Sequence, residues 1–150
     1  MPALLRSRLA VAVLFGVFLI PIFLMSSLRG LTHVVSCAQP VERPFHVEIT
    51  GGEPVITGSA LVVAGEDTGC GPLTAEIVIR SEGANRLAVT VPITNGGESA
   101  WRGTVHLEVG STLIPITIGL VPGGGTREQT VILRLPEGVS SFQGSLLIGP

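Results

Sequence analysis

Apolar and polar positions follow two different rules along this chain. From Leu9 to Leu28 they barely alternate at all: twenty residues pass without a charge, and only Ser26 and Ser27 are plainly polar. At about 1.5 Å per residue a helix of that length covers about 30 Å, the hydrocarbon thickness of a bilayer. From Phe45 onward the rule is a period of two. Phe45, Val47 and Ile49 alternate with His46, Glu48 and Thr50, and Leu87, Val89, Val91 and Ile93 alternate with Ala88, Thr90 and Thr94. The same alternation runs through Ala75–Ile79, Trp101–Val109, Ile114–Leu120, Val131–Leu135 and Phe142–Ile148. Val55–Ala64 is less regular and reads as one strand with a bulge at Gly58.

The pattern predicts an all-β domain of seven or eight short antiparallel strands, each with one apolar face, preceded by one transmembrane helix. The expected organisation is a cytoplasmic amino terminus at 1–8, a signal anchor at 9–28, a juxtamembrane linker at 29–44 and a β-sandwich ectodomain at 45–150. Asn95-Gly96-Gly97 and Pro122–Gly125 are the clearest turns.

Charge adds a direction. Arg6 and Arg8 precede the apolar stretch, and Arg29 closes it, whereas all eleven carboxylates come later. Positive residues favour the cytoplasmic side, so the expected protein is single-pass in the cell membrane, with its carboxyl-terminal domain extracytoplasmic. Beyond residue 30 there are six arginines against eleven carboxylates, 6 − 11 = −5, and lysine is absent. A domain of that sign repels nucleic acid, which is excluded as a partner. The lipid contact is assigned to residues 9–28, and a second membrane or envelope protein is the expected protein partner.

Cys37 and Cys70 both fall on the outer side of this topology, where a disulfide persists, and one pairing is available to them. Two cleaved forms stay open beside it. Val34-Val35-Ser36-Cys37 resembles a lipobox with Cys37 as the acylated residue, and Ser36 with Ala38 would suit a signal-peptidase cut at Gln39. Two widely spaced thiols do not make a zinc site, and no metal or cofactor is expected.

The second half combines Val89-Thr-Val-Pro-Ile-Thr-Asn-Gly-Gly97 with Trp101, Leu120-Val-Pro-Gly123 and Val131-Ile-Leu-Arg-Leu-Pro136. This grammar of strands and turns resembles the bacterial extracellular immunoglobulin-like modules of the cell-adhesion-related type, over about residues 45–148. The resemblance implies an immunoglobulin-like sandwich used as a spacer, adhesion or docking element. It brings no catalytic residues with it.

Nothing else in the chain spells out chemistry. Asp67 is the sole aspartate, and the histidines are His33, His46 and His106, the last two on the polar faces of their strands. Glu48, Glu76 and Glu108 read as solvent-facing, Gly123-Gly124-Gly125 as a hairpin turn, and Trp101 as core. No G-x-S-x-G elbow, phosphate loop or H-E-x-x-H occurs. The chain is therefore expected to be non-enzymatic, with no catalytic residue assigned. Val78, Leu113, Ile132 and Leu147 fall opposite the main apolar rows of their strands and are the candidate partner contacts. Two rival functions remain. A module binding an envelope glycan or small ligand would need a groove lined by Trp101, Phe45 or Phe142, and an enzyme would need Asp67, His46 or His106 to be gathered in space.

Overall fold

The computed structural model describes Leu19–Ile20 and residues 34–150 apart from Ala84. The expected membrane span at 9–28 lies outside the described residues except for Leu19 and Ile20, which are helical. Among the described residues no helix is long and apolar enough to cross a membrane.

Val34–Pro150 forms one compact unit built of twelve strands. In chain order these are β1 (Val34–Val35), β2 (Val41–Thr50), β3 (Glu53–Thr57), β4 (Leu61–Ala64), β5 (Leu73–Glu76) and β6 (Val78–Ser81). The rest are β7 (Arg86–Asn95), β8 (Ala100–Trp101), β9 (Thr104–Val109), β10 (Thr112–Ile116), β11 (Thr126–Arg134) and β12 (Ser141–Gly149). Two antiparallel five-stranded sheets result. The first has the order β10-β9-β12-β2-β3; the second has the order β11-β7-β5-β4, with β6 also paired to β7. A two-stranded parallel pair, β1 with β8, stands apart from them.

The period-two pattern fixes what faces inward. Phe45 and Val47 on β2, Val105 and Leu107 on β9, and Leu146 and Ile148 on β12 are buried from the first sheet. Val62, Ala64, Leu73, Ala75, Val89, Val91 and Ile93 are buried from the second, in the same cluster. One shared core between two sheets is a β-sandwich. Trp101 joins that cluster, as its alternation predicts.

Four features depart from the expected elements. Val55–Ala64 is two strands rather than one with a bulge: β3 belongs to the first sheet and β4 to the second, with the crossing at Gly58–Ala60. Gly58 takes φ +105° there, a backbone open to glycine at little cost. Residues 34–44, expected as linker, supply β1, the start of β2 and the buried side chains of Cys37 and Val41. The strand expected to run to Leu120 stops at Ile116. Finally, β5 and β6 share one register against β7, since Ala75 opposes Ile93 and Val78 opposes Thr90. The ladder between them lapses opposite Pro92, which has no N–H to donate, and the Ile77 N–H goes to the Ala60 carbonyl instead.

Candidate functional site

A small cavity lined by Cys70, Pro72, Asn95, Gly97, Ser99 and Trp101 brings the disulfide and the turn after β7 to one end of the sandwich. Cys37 is bonded to Cys70. Beside the bridge, the Ala38 and Gln39 N–H groups both donate to the Thr68 carbonyl, at 2.7 and 3.0 Å. The chain just beyond residue 33 is thereby held against the Gly65–Cys70 loop. With its Sγ engaged, Cys37 has no thiol to carry a thioether lipid, and a cut at Gln39 would strip Cys37 from the domain.

Asn95 is the only polar residue among the described ones that is fully buried, at 2% exposure. Its Nδ2 donates to the Ser99 carbonyl at 2.8 Å and to the Val121 carbonyl at 3.2 Å, and its Oδ1 accepts from the Gly97 N–H at 3.0 Å. Its own N–H donates to the Gly125 carbonyl at 2.9 Å. One side chain thus ties the turn after β7 to the turn before β11. The second turn is glycine-rich for a steric reason. A Cβ on Gly123 would fall on the Glu98 carbonyl, and Gly124 sits at φ +67°. The three-glycine run is a structural turn, not a phosphate cradle: no helix follows it, and β11 does.

Elsewhere, an open cleft of about 460 Å³ is lined by Phe45, His46, Thr57, Glu108, Gln143 and Ser145 among others. His46 Nε2 lies 3.8 Å from Glu48 Oε1, two residues along the same strand face, and its buried Nδ1 has no hydrogen-bond partner among the described residues. The Phe45 ring meets Phe142 edge to face at 6.5 Å and is itself buried, so it presents no open face to this cleft. Trp101 is also buried, its Nε1 likewise without a partner. The rings of Phe45 and Trp101 are therefore turned into the core, and Phe142 is half-buried against it.

The titratable candidates do not gather. His46 lies on β2 and His106 on β9, with β12 between them, and Asp67 sits in the turn Glu66–Thr68. His33 lies outside the described residues. Among the described residues no three of His, Cys, Asp and Glu come together as a metal site would require.

The four proposed partner contacts divide into two pairs. Val78 and Ile132 lie on the outer face of the second sheet; Leu113 and Leu147 lie on the outer face of the first, on the other side of the sandwich. Ile132 is 44% and Leu113 54% exposed, while Val78 and Leu147 are half-buried. Pattern reasoning missed Leu61 and Val63 on β4, both exposed on the same face as Val78. Leu61-Val62-Val63-Ala64 is apolar throughout, so no alternation marked which two point outward. Threonines share that face with charged residues: Thr90 with Thr130 and Thr94 with Thr126 make hydroxyl hydrogen bonds of 2.8 and 2.9 Å, and Glu76, Arg80, Glu128 and Arg134 lie in the same outward register.

No protein-family model matches the chain, and no curated protein does either. Among solved structures it aligns with a cupin-2 domain from Rhodospirillum rubrum at 14% identity, over 59% of this chain and 68% of that one, with a TM-score of 0.16. An alignment that loose assigns neither fold nor activity. The expectation of a non-enzymatic chain is withdrawn, and the reading below does not depend on it.

Proposed function

We propose that the chain is a membrane-anchored extracytoplasmic module, an immunoglobulin-like sandwich serving as an interaction or accessory subunit beside another membrane or envelope protein. The observation that carries this reading is the buried Cys37–Cys70 bridge immediately downstream of a twenty-residue uncharged apolar stretch. Such a bridge persists in an oxidising compartment, and such a stretch is long enough to hold the domain at the membrane bounding it. The immunoglobulin-like assignment draws on the Asn-Gly-Gly and Pro-Gly turn grammar together with two five-stranded antiparallel sheets around one core. For docking, the outer face of the second sheet offers Leu61, Val63, Val78 and Ile132 among threonines, with Glu128 and Arg134 along its β11 edge.

Two measurements test the proposal. Protease added to intact cells is expected to remove the domain and leave a short embedded stub; a fully protected domain defeats the topology. Crosslinking in intact cells, followed by identification of what co-purifies, tests the role. Leu61→Ser with Val63→Ser is expected to deplete the partner several-fold, and Leu113→Ser on the opposite face to leave it unchanged. An identical partner profile for both variants would remove the second-sheet face from the proposal.

A further inference from the structure

A sheet edge left open in a sandwich is a place where another strand can pair, and natural proteins blunt such edges. Four of the five edges among the described residues are blunted. On the first sheet β10 carries Pro115 and β3 carries Pro54, and on the second sheet β4 and β6 are each four residues long. The fifth edge is β11. It runs nine residues from Thr126 to Arg134 without proline or glycine, and among the described residues it pairs only with β7.

The hydrogen-bond parity of β11 is fixed by its two ends. The Leu135 N–H donates to the Asn85 carbonyl, and the Asn95 N–H donates to the Gly125 carbonyl. Both pairs continue the β7–β11 register, in which opposed residue numbers sum to 220. Odd-numbered residues of β11 therefore bond to β7. The N–H and C=O groups of Glu128, Thr130, Ile132 and Arg134 are left pointing away from the sheet. One of them is lightly engaged: the exposed Gln129 Nε2 donates to the Thr130 carbonyl at 3.3 Å, a local bond that an incoming strand replaces.

We infer that β11 is a self-pairing edge whose partner is the β11 of a second copy of this chain, antiparallel and centred on Val131. The side chains select this register. Centring on Val131 sets Glu128 opposite Arg134 of the second copy, and Arg134 opposite its Glu128, because each pair sums to twice 131. Both charges lie on the outer face, both are exposed, and among the described residues neither forms an ion pair within its own chain. Thr130 then faces Ile132, which covers the exposed Ile132 side chain. The parity agrees: in this register the outward-pointing residues meet one another, four pairs exchanging two backbone bonds each. Centring on Glu128 or Arg134 instead would set like charges opposite each other, and centring on Thr130 or Ile132 would leave Glu128 without its arginine. This inference does not rest on the proposed envelope partner, although the pairing would cover Ile132 of the proposed docking face.

The test uses the full chain in detergent micelles, followed by sedimentation. The wild type is expected to dimerise, and Glu128→Arg and Arg134→Glu are each expected to weaken the dimer by about tenfold or more, since two like-charged pairs replace two opposite ones. The double swap Glu128→Arg with Arg134→Glu is expected to restore it. Val131→Cys, placed at a non-hydrogen-bonded pair about 4.5 Å apart, should crosslink on mild oxidation, and Arg127→Cys should not. A wild type that stays monomeric up to about 100 µM overturns the inference. So does a dimer indifferent to the single charge reversals, which would be held by the apolar stretch instead, or a double swap that fails to recover.

Discussion

Replacing Cys37 and Cys70 together by alanine is expected to lower the stability of the domain by about 3–4 kcal/mol, the chain-entropy value for a closed loop of this length. The bridge joins positions 33 residues apart. For a domain of this size the loss corresponds to a fall in Tm of about 10–15 °C. Alanine serves better than serine because both cysteines are buried and a hydroxyl would be stranded there. The decisive comparison is with reductant, which should lower the Tm of the wild type by a similar amount and leave the alanine variant unmoved. If reductant shifts both equally, the bridge is not what it acts on. The consequence extends to position: losing the bridge also weakens the hold of the Gly65–Cys70 loop on Ala38 and Gln39. Protease cleavage in residues 34–40 should then become faster.

Asn95→Ala is the second large effect. The substitution removes three side-chain hydrogen bonds and leaves the Ser99 and Val121 carbonyls and the Gly97 N–H without that partner in a buried setting. Stranding buried groups costs more than the net worth of the bonds, so about 2–4 kcal/mol is expected, read as a Tm fall of about 8–15 °C. Asn95→Asp discriminates between packing and hydrogen bonding. It keeps the shape and the acceptor for Gly97, but presents a carboxylate to two carbonyl oxygens and buries a charge. At neutral pH it should be at least as destabilising as alanine. A melt in which aspartate is tolerated would mean that the Nδ2 donations contribute little. Either variant should also loosen the 122–125 turn and, through it, the start of β11.

The bridge and the buried asparagine were readable in the sequence to different degrees. The cysteines could be paired by counting, because only one intramolecular pairing exists for two of them. Asn95 was visible as part of a turn, since Asn-Gly-Gly after an alternating run ends a strand. Its role was not visible, because the Ser99 and Val121 carbonyls reach it only once β7 and the 96–99 and 121–125 turns are folded together. The outward apolar residues divide the same way. Alternation placed Val78, Leu113, Ile132 and Leu147 off their strands' main rows. It could not say that they belong to two opposite faces, because a period of two records which side of its own strand a residue takes and nothing about the neighbouring strand. Leu61 and Val63 escaped because a run of four apolar residues has no alternation to read.

Alternation and turn residues alone were enough to show that the region after Phe45 is β, which side chains fill the core in most strands, and where the sharp turns fall. Those properties are local: a pleated strand sends successive side chains to opposite faces, proline fixes φ, and glycine opens the left-handed region, wherever they stand. Tertiary structure alone decided that Val34–Pro44 belongs to the domain, that the chain changes sheets at Gly58–Ala60, and that β11 is left as the long open edge. Strand order is set by which pairs of sheet faces can close over one common core, and that choice is made between residues far apart in the chain.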